Sequence, residues 1–229
     1  MDELRLKAKE LFDKGRYRYF RRIRRRHTQS SSVFREKYND CSKLVFNDKC
    51  SGNLAVYLTR KDLVGGKRVG ISASYYALKS ITQLFDENQL KEENLKIFGL
   101  SEDGKLTLFD SVANISTFLK TATPPAKQKD DELIAELDKM SQQERWEFWS
   151  DELSKCFKCY ACRAACPMCY CTKCIVEVNR PQWISPWSTT LSNIEWQINR
   201  VMHMAGRCSD CGTCGSVCPV GIPLAFAHA

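Results

Sequence analysis

Thirteen cysteines in 229 residues, eleven of them between Cys156 and Cys218, are the side chains of this sequence best suited to chemistry. They contain one spacing written twice: Cys156-x2-Cys159-x2-Cys162-x3-Cys166-Pro167 and Cys208-x2-Cys211-x2-Cys214-x3-Cys218-Pro219. Three thiolates this close hold three corners of an iron–sulfur cubane, while the fourth, ahead of a proline, turns away to a second cubane. A doubled run supplies both crossing ligands. The expected sets are Cys156, Cys159, Cys162 and Cys218 for one 4Fe–4S cluster, and Cys208, Cys211, Cys214 and Cys166 for the other. Pro167 and Pro219 fix the backbone after each crossing ligand. Gly212 and Gly215 are read as relieving crowding where the chain bends around the second cluster. Thiolates at all four positions leave neither cluster an open iron site, which points to electron carriage rather than catalysis. A structural zinc site takes four ligands from two pairs and leaves the three-plus-one spacing unexplained.

Five cysteines lie outside those sets. Cys169, Cys171 and Cys174 come after the first run within nine residues of Cys166, too dense for ordinary packing. They make a candidate third site, a 4Fe–4S cluster or zinc, with the distant Cys50 preferred as fourth ligand; free thiols are the plain alternative. Cys41 has no assigned role. The C-x2-C spacing and the odd total argue against a disulfide framework. Met1-Asp2-Glu3-Leu4 is acidic and does not read as a secretory signal. No stretch approaches the ~20 apolar residues of a membrane span. The expected setting is the cytoplasm of an anaerobe, where thiolates stay reduced.

Seven of the eight net positive charges come from one segment, Arg16 to His27, which has seven arginines and no acid. It reads as a docking surface for an acidic partner subunit, as a nucleic-acid contact, or as a solvated arm. Arg26 precedes His-Thr-Gln-Ser-Ser-Ser rather than an apolar run, so the segment is no twin-arginine export signal.

The elements that position the cysteines are set by periodicity. Residues 3–14 predict a helix stopped by Gly15, residues 43–46 a strand, 53–63 a helix, 67–72 a strand and 75–85 a helix. A strand over 95–100 and a turn at 102–104 into 106–109 complete residues 1–120, read as a small α/β domain with a parallel sheet and helices. Residues 121–130, with Pro124 and Pro125, read as a linker. Residues 131–229 read as a mainly helical ferredoxin domain of the bacterial two-cluster type. There, Ser141-x-x-Glu144 predicts a capping box. A helix over 192–206 should present Ile194, Ile198, Val201 and Met202 inward, with His203 packed near a cluster. Trp146, Trp149, Trp183, Trp187 and Trp196 are read as shielding the clusters from water. No P-loop or GxGxxG is present, and Gly65-Gly66-Lys67 is too short to read as a phosphate loop.

Cys156 to Cys174, Arg180 to Ile184 and His203 to Gly212 resemble the beta-subunit-like proteins of deazaflavin-dependent hydrogenases and formate dehydrogenases. These are related to iron–sulfur dicluster subunits that work beside heterodisulfide-reductase-type complexes. Leu44 to Cys50, Asn53 to Leu58, Lys67 to Ile71 and Leu78 to Ile81 carry the resemblance into the N-terminal half. It implies an iron–sulfur subunit of a multi-subunit oxidoreductase, with flavin- or metal-containing partner subunits. Two features depart from the family. Ser72-Ala73-Ser74 stands where relatives carry Gly-Cys-Asp, and the arginine-rich segment replaces a more ordinary stretch. Both weigh against a flavin in this chain. The function expected is single-electron relay; the alternatives are a flavin-bearing reductase subunit and a nucleic-acid-associated iron–sulfur protein.

Overall fold

Val69-Gly-Ile-Ser-Ala73 is short, apolar and nearly free of solvent, the pattern of a strand covered on both faces, and it forms the middle of a five-stranded sheet. The computed structural model describes residues 2–13, 19–26, 29–35, 52–65, 68–101, 105–126 and 128–226. The chain divides into two units, Met1–Pro125 and Ala126–Ala229.

The sheet of the first unit contains β1 (Tyr19–Arg26), β2 (Gln29–Arg35), β3 (Val69–Ala73), β4 (Leu95–Leu100) and β5 (Leu106–Phe109), in the order β2-β1-β3-β4-β5. β1, β3 and β4 run parallel, while β2 and β5 pair antiparallel at the two edges. The sheet is therefore mixed rather than wholly parallel, each edge strand pairing antiparallel with the strand that precedes it in the chain. Within the arginine-rich segment, Tyr19–Arg26 forms β1, a strand paired between β2 and β3. The expected strand over 43–46 and the turn at 102–104 lie outside the described residues, as do Cys41 and Cys50.

Helix α1 (Asp2–Asp13) buries Leu4 and Ala8. The helix expected over 53–63 is two shorter pieces, a 3-10 turn over Leu54–Tyr57 and α2 (Lys61–Val64). Asn53 starts the first: its Oδ1 accepts from Ala55 N at 3.1 Å and its Nδ2 donates to Ser80 Oγ at 2.7 Å. Helix α3 (Tyr75–Asp86) connects β3 to β4 and buries Ala77, Leu78, Ile81 and Leu84, the 3.6-residue stripe that its sequence predicts. Helix α4 (Val112–Thr121) comes after β5, with the Ser111 side chain accepting from Asn114 N.

The second unit is helical: α5 (Gln128–Leu137), α6 (Gln142–Ser154), α7 (Ala161–Ala165), α8 (Thr190–Met204) and α9 (Thr213–Ser216). Ser141 and Glu144 close the capping box at the start of α6, satisfying two backbone donors at once. α6 packs on α8, and α7 on α9. Leu153, Val176, Ile184, Ile194, Trp196, Ile222 and Leu224 form the apolar core, with Cys156 and Cys162 inside it. No described helix is long and apolar enough to cross a membrane.

A sheet this tight leaves one position with a sharp steric demand. A methyl group on Gly99 of β4 would lie 2.5 Å from the ring of Phe109, which is itself held edge-on to Phe118. Gly99→Ala is expected to cost about 1–3 kcal/mol from overpacking. A urea denaturation midpoint equal to that of the unchanged chain would show that the ring can yield.

Candidate functional site

Both cysteine runs fold alike, and the likeness begins in the backbone. Two residues after the first cysteine of each run, Lys158 (φ 56°) and Asp210 (φ 58°) take the left-handed conformation. This turns their N–H groups back onto sulfur: Lys158 N donates to Cys156 Sγ and Asp210 N to Cys208 Sγ, each at 3.4 Å. Two residues further on, Tyr160 (φ 59°) and Gly212 (φ 68°) are left-handed again and begin α7 and α9. Positive φ at three non-glycine residues is an uncommon strain, and its repetition in register marks a backbone shaped around the sulfurs.

Each run contributes to two cavities. One is lined by Cys156, Cys159 and Cys162 from the first run and by Cys218 and Pro219 from the second. The other is lined by Cys208, Cys211 and Cys214 from the second run and by Cys166 and Pro167 from the first. The proline-linked cysteine of each run thus faces the cavity of the other. Among the described residues, no three His, Cys, Asp or Glu side chains converge as a single-ion site. The sulfurs stand around open spaces instead of meeting at a point. All eleven described cysteines are free thiols.

Charge and hydrogen bonding fit a sulfur-ligated metal group. Burial pushes the Cys162 thiol up to about 11 and the Cys214 thiol up to about 12, so both carry protons at neutral pH until a metal displaces them. Cys166 and Cys169 share a hydrogen bond that raises the first and lowers the second. Gln197 Nε2 lies 3.6 Å from Cys156 Sγ, and Met204 Sδ lies 3.8 Å from Cys166 Sγ. Lys158 is buried, and burial lowers its pKa. Its Nζ donates to Ser185 O at 2.5 Å, Ser192 Oγ at 2.6 Å and Trp187 O at 2.9 Å, fastening the loop before α8 to the first run. Asn193 ties the same helix to the Cys156 carbonyl.

The remaining cysteines disperse. Cys169 lies beside Cys166, Cys171 is exposed with its carbonyl accepting from Arg163 at 3.1 Å, and Cys174 packs against the apolar core. Arg163 also pairs with Glu177 at 2.9 Å, holding this loop to α7.

Three expectations from sequence need correction. The inward face of α8 is Ser192, Asn193, Ile194, Trp196, Gln197, Arg200 and Met204, whereas Ile198 and Met202 are exposed. The reason is that this face meets sulfur-bearing loops that take donors. His203 is exposed and does not pack near either cavity. Of the five tryptophans, Trp196 is buried and lines the first cavity and Trp149 packs on the core, but Trp146, Trp183 and Trp187 face solvent. The donors Asn193, Gln197 and Arg200 do not stand out in the sequence. Their spacing of four and three residues, with Trp196 and Met204 alongside, is the signal that could have found them.

Residues 151–222 match the family model of the 4Fe-4S dicluster domain. The second unit therefore carries such a domain, a metal-binding module for 4Fe–4S clusters. The chain is also similar to F420-dependent formate dehydrogenase subunit beta of Methanocaldococcus jannaschii, 29% identical over 83 residues. That match takes in 35% of this chain and 21% of the relative, so the similarity spans about a fifth of the relative's length.

Glycine demand in the second run is now specific. Gly212 needs its positive φ, whereas a methyl on Gly215 would sit at an ordinary 3.8 Å from the Ile222 carbonyl. Gly212→Ala should cost about 1–2 kcal/mol and Gly215→Ala little. Equal losses in thermal unfolding of the two variants would contradict this assignment.

Proposed function

We propose that this chain is an iron–sulfur electron-transfer subunit of an anaerobic, cytoplasmic, multi-subunit oxidoreductase. Its working part is residues 131–229. The observation that carries the reading is the crossed lining of the two cavities, three cysteines from one run and one from the other in each case. In this reading Cys156, Cys159, Cys162 and Cys218 hold one 4Fe–4S cluster, and Cys208, Cys211, Cys214 and Cys166 hold the second. When bound, such clusters take up and pass on single electrons.

The protein's own groups then have definite tasks. Left-handed Lys158 and Asp210 donate N–H groups to sulfur, which stabilises thiolate over thiol. Trp196, Ile222 and Leu224 exclude water from the first cavity, and Met168 and Met204 do so at the second. Lys158 keeps the loop over 185–192 closed on the first run.

Similarity to a formate dehydrogenase beta subunit supports partner redox subunits; in this reading those partners bear flavin or metal, and Arg16 to His27 is a docking segment for them. Departure from the family at Ser72-Ala73-Ser74 favours a wire over a flavin-bearing subunit. A third site on Cys169, Cys171 and Cys174 with Cys50 belongs to the same reading as an addition that iron content decides.

Anaerobically purified chain should contain about eight iron and eight sulfide for two cubanes, or about twelve of each with the third site. Several zinc ions with little iron would overturn the proposal. Crossing has its own signature in electron paramagnetic resonance. Cys218→Ser should disturb the same reduced signal as Cys156→Ser, and Cys166→Ser the same signal as Cys208→Ser. Pairing of Cys166→Ser with Cys156→Ser would contradict the ligand sets.

A further inference from the structure

Helix α8 runs from one cavity to the other. Trp196 and Gln197 line the first and Met204 the second, roughly 11 Å apart along the helix axis at 1.5 Å per residue. Between them, on the same inward face, is Arg200, only 3% exposed. Its Nη1 donates to Gln197 Oε1 at 3.4 Å, and its guanidinium lies 5.3 Å from the centre of the Trp196 ring. Among the described residues its Nε and Nη2 are buried with no nitrogen or oxygen partner, and its side chain lies within reach of the Cys169 thiol.

A buried guanidinium whose N–H groups meet so few nitrogen or oxygen partners is unfavourable unless negative charge lies close by. Among the described residues Arg200 makes no ion pair with a carboxylate. Burial works against its charge, and the groups that favour it are thiols from both sides: Cys162 at the first cavity, Cys166 and Cys214 at the second, and Cys169. As metal ligands Cys162, Cys166 and Cys214 are thiolates, two cavities' worth of negative charge on either side of this one guanidinium. The arginine is thus placed for a charge that the two sulfur sets acquire on metal loading.

We propose that Arg200 is a shared counter-ion, one buried guanidinium that offsets the negative charge of both thiolate sets at once. This rests on the two-cluster reading above. A fixed positive charge between the sets favours whichever state holds the extra electron, so it raises the tendency of each to accept one. Because one residue serves both, its removal acts on both. A merely structural role, stacking on Trp196 and bonding Gln197, would leave the electron equilibria where they are.

The test compares the unchanged full chain with Arg200→Gln and Arg200→Lys, purified without oxygen. Iron and sulfide are counted first, and midpoint potentials are then read by resonance-monitored titration with dithionite as reductant. In Arg200→Gln, the one-electron equilibrium of both clusters should shift at least tenfold toward the oxidised state, about 59 mV more negative. Arg200→Lys, which keeps the charge, should fall nearer the unchanged chain. Full iron with neither midpoint moved, or with only one moved, overturns the proposal. If Arg200→Gln fails to hold iron, recovery by Arg200→Lys supports a requirement for charge. Failure of both variants overturns it in favour of packing. Absence of iron from the unchanged chain would defeat the two-cluster reading itself, a separate outcome.

Discussion

Sulfur can hold iron only after it has lost its proton, and a thiolate inside a protein is a charge that water cannot reach. That constraint organises the second unit. Its answer is to bring donors to the sulfurs rather than the sulfurs to solvent. Backbone N–H groups are turned inward by left-handed residues in both runs, and α8 lays Gln197 against the first cavity and buries Arg200 one turn further on, toward the second. The cost appears as positive φ at Lys158, Tyr160 and Asp210, conformations that side chains ordinarily avoid.

The rest of the unit serves to keep those donors in place. α6 is capped by Ser141 and Glu144 together and packs on α8. Lys158 crosses to the backbone at Ser185 and Trp187, so the long insertion between the runs is fastened at the point where it meets the first sulfur. Arg163 does the same for the loop carrying Cys171. Apolar side chains close the remaining gaps, and in doing so they make each buried polar contact stronger than it would be in water.

The cysteine spacing is the most legible part of the sequence, because it records which sulfurs are near one another along the chain. Cys166 and Cys218 each line the cavity opposite the first three cysteines of their own run. β3, α3 and β4 are readable from their strong periodicity. What resists reading is any element whose burial departs from apolarity. Hydrophobic residues alone orient α8 wrongly, since Ile198 and Met202 face outward and Asn193, Gln197 and Arg200 inward. Periodicity assumes that the partner surface is apolar, and here it is sulfur. The strand formed by Tyr19–Arg26 is hidden for a related reason: a charge-rich composition masks a backbone that pairs on both sides.

The exchange of one cysteine between the two runs has a consequence for how the protein is made. A nascent chain that has emerged only as far as Pro167 contains every residue of the first run, but no complete wall for either cavity. Fifty further residues must appear before Cys218 arrives. Neither cavity wall is complete until both runs have been made, and a ribosome stalled in the insertion would release a product with no finished compartment.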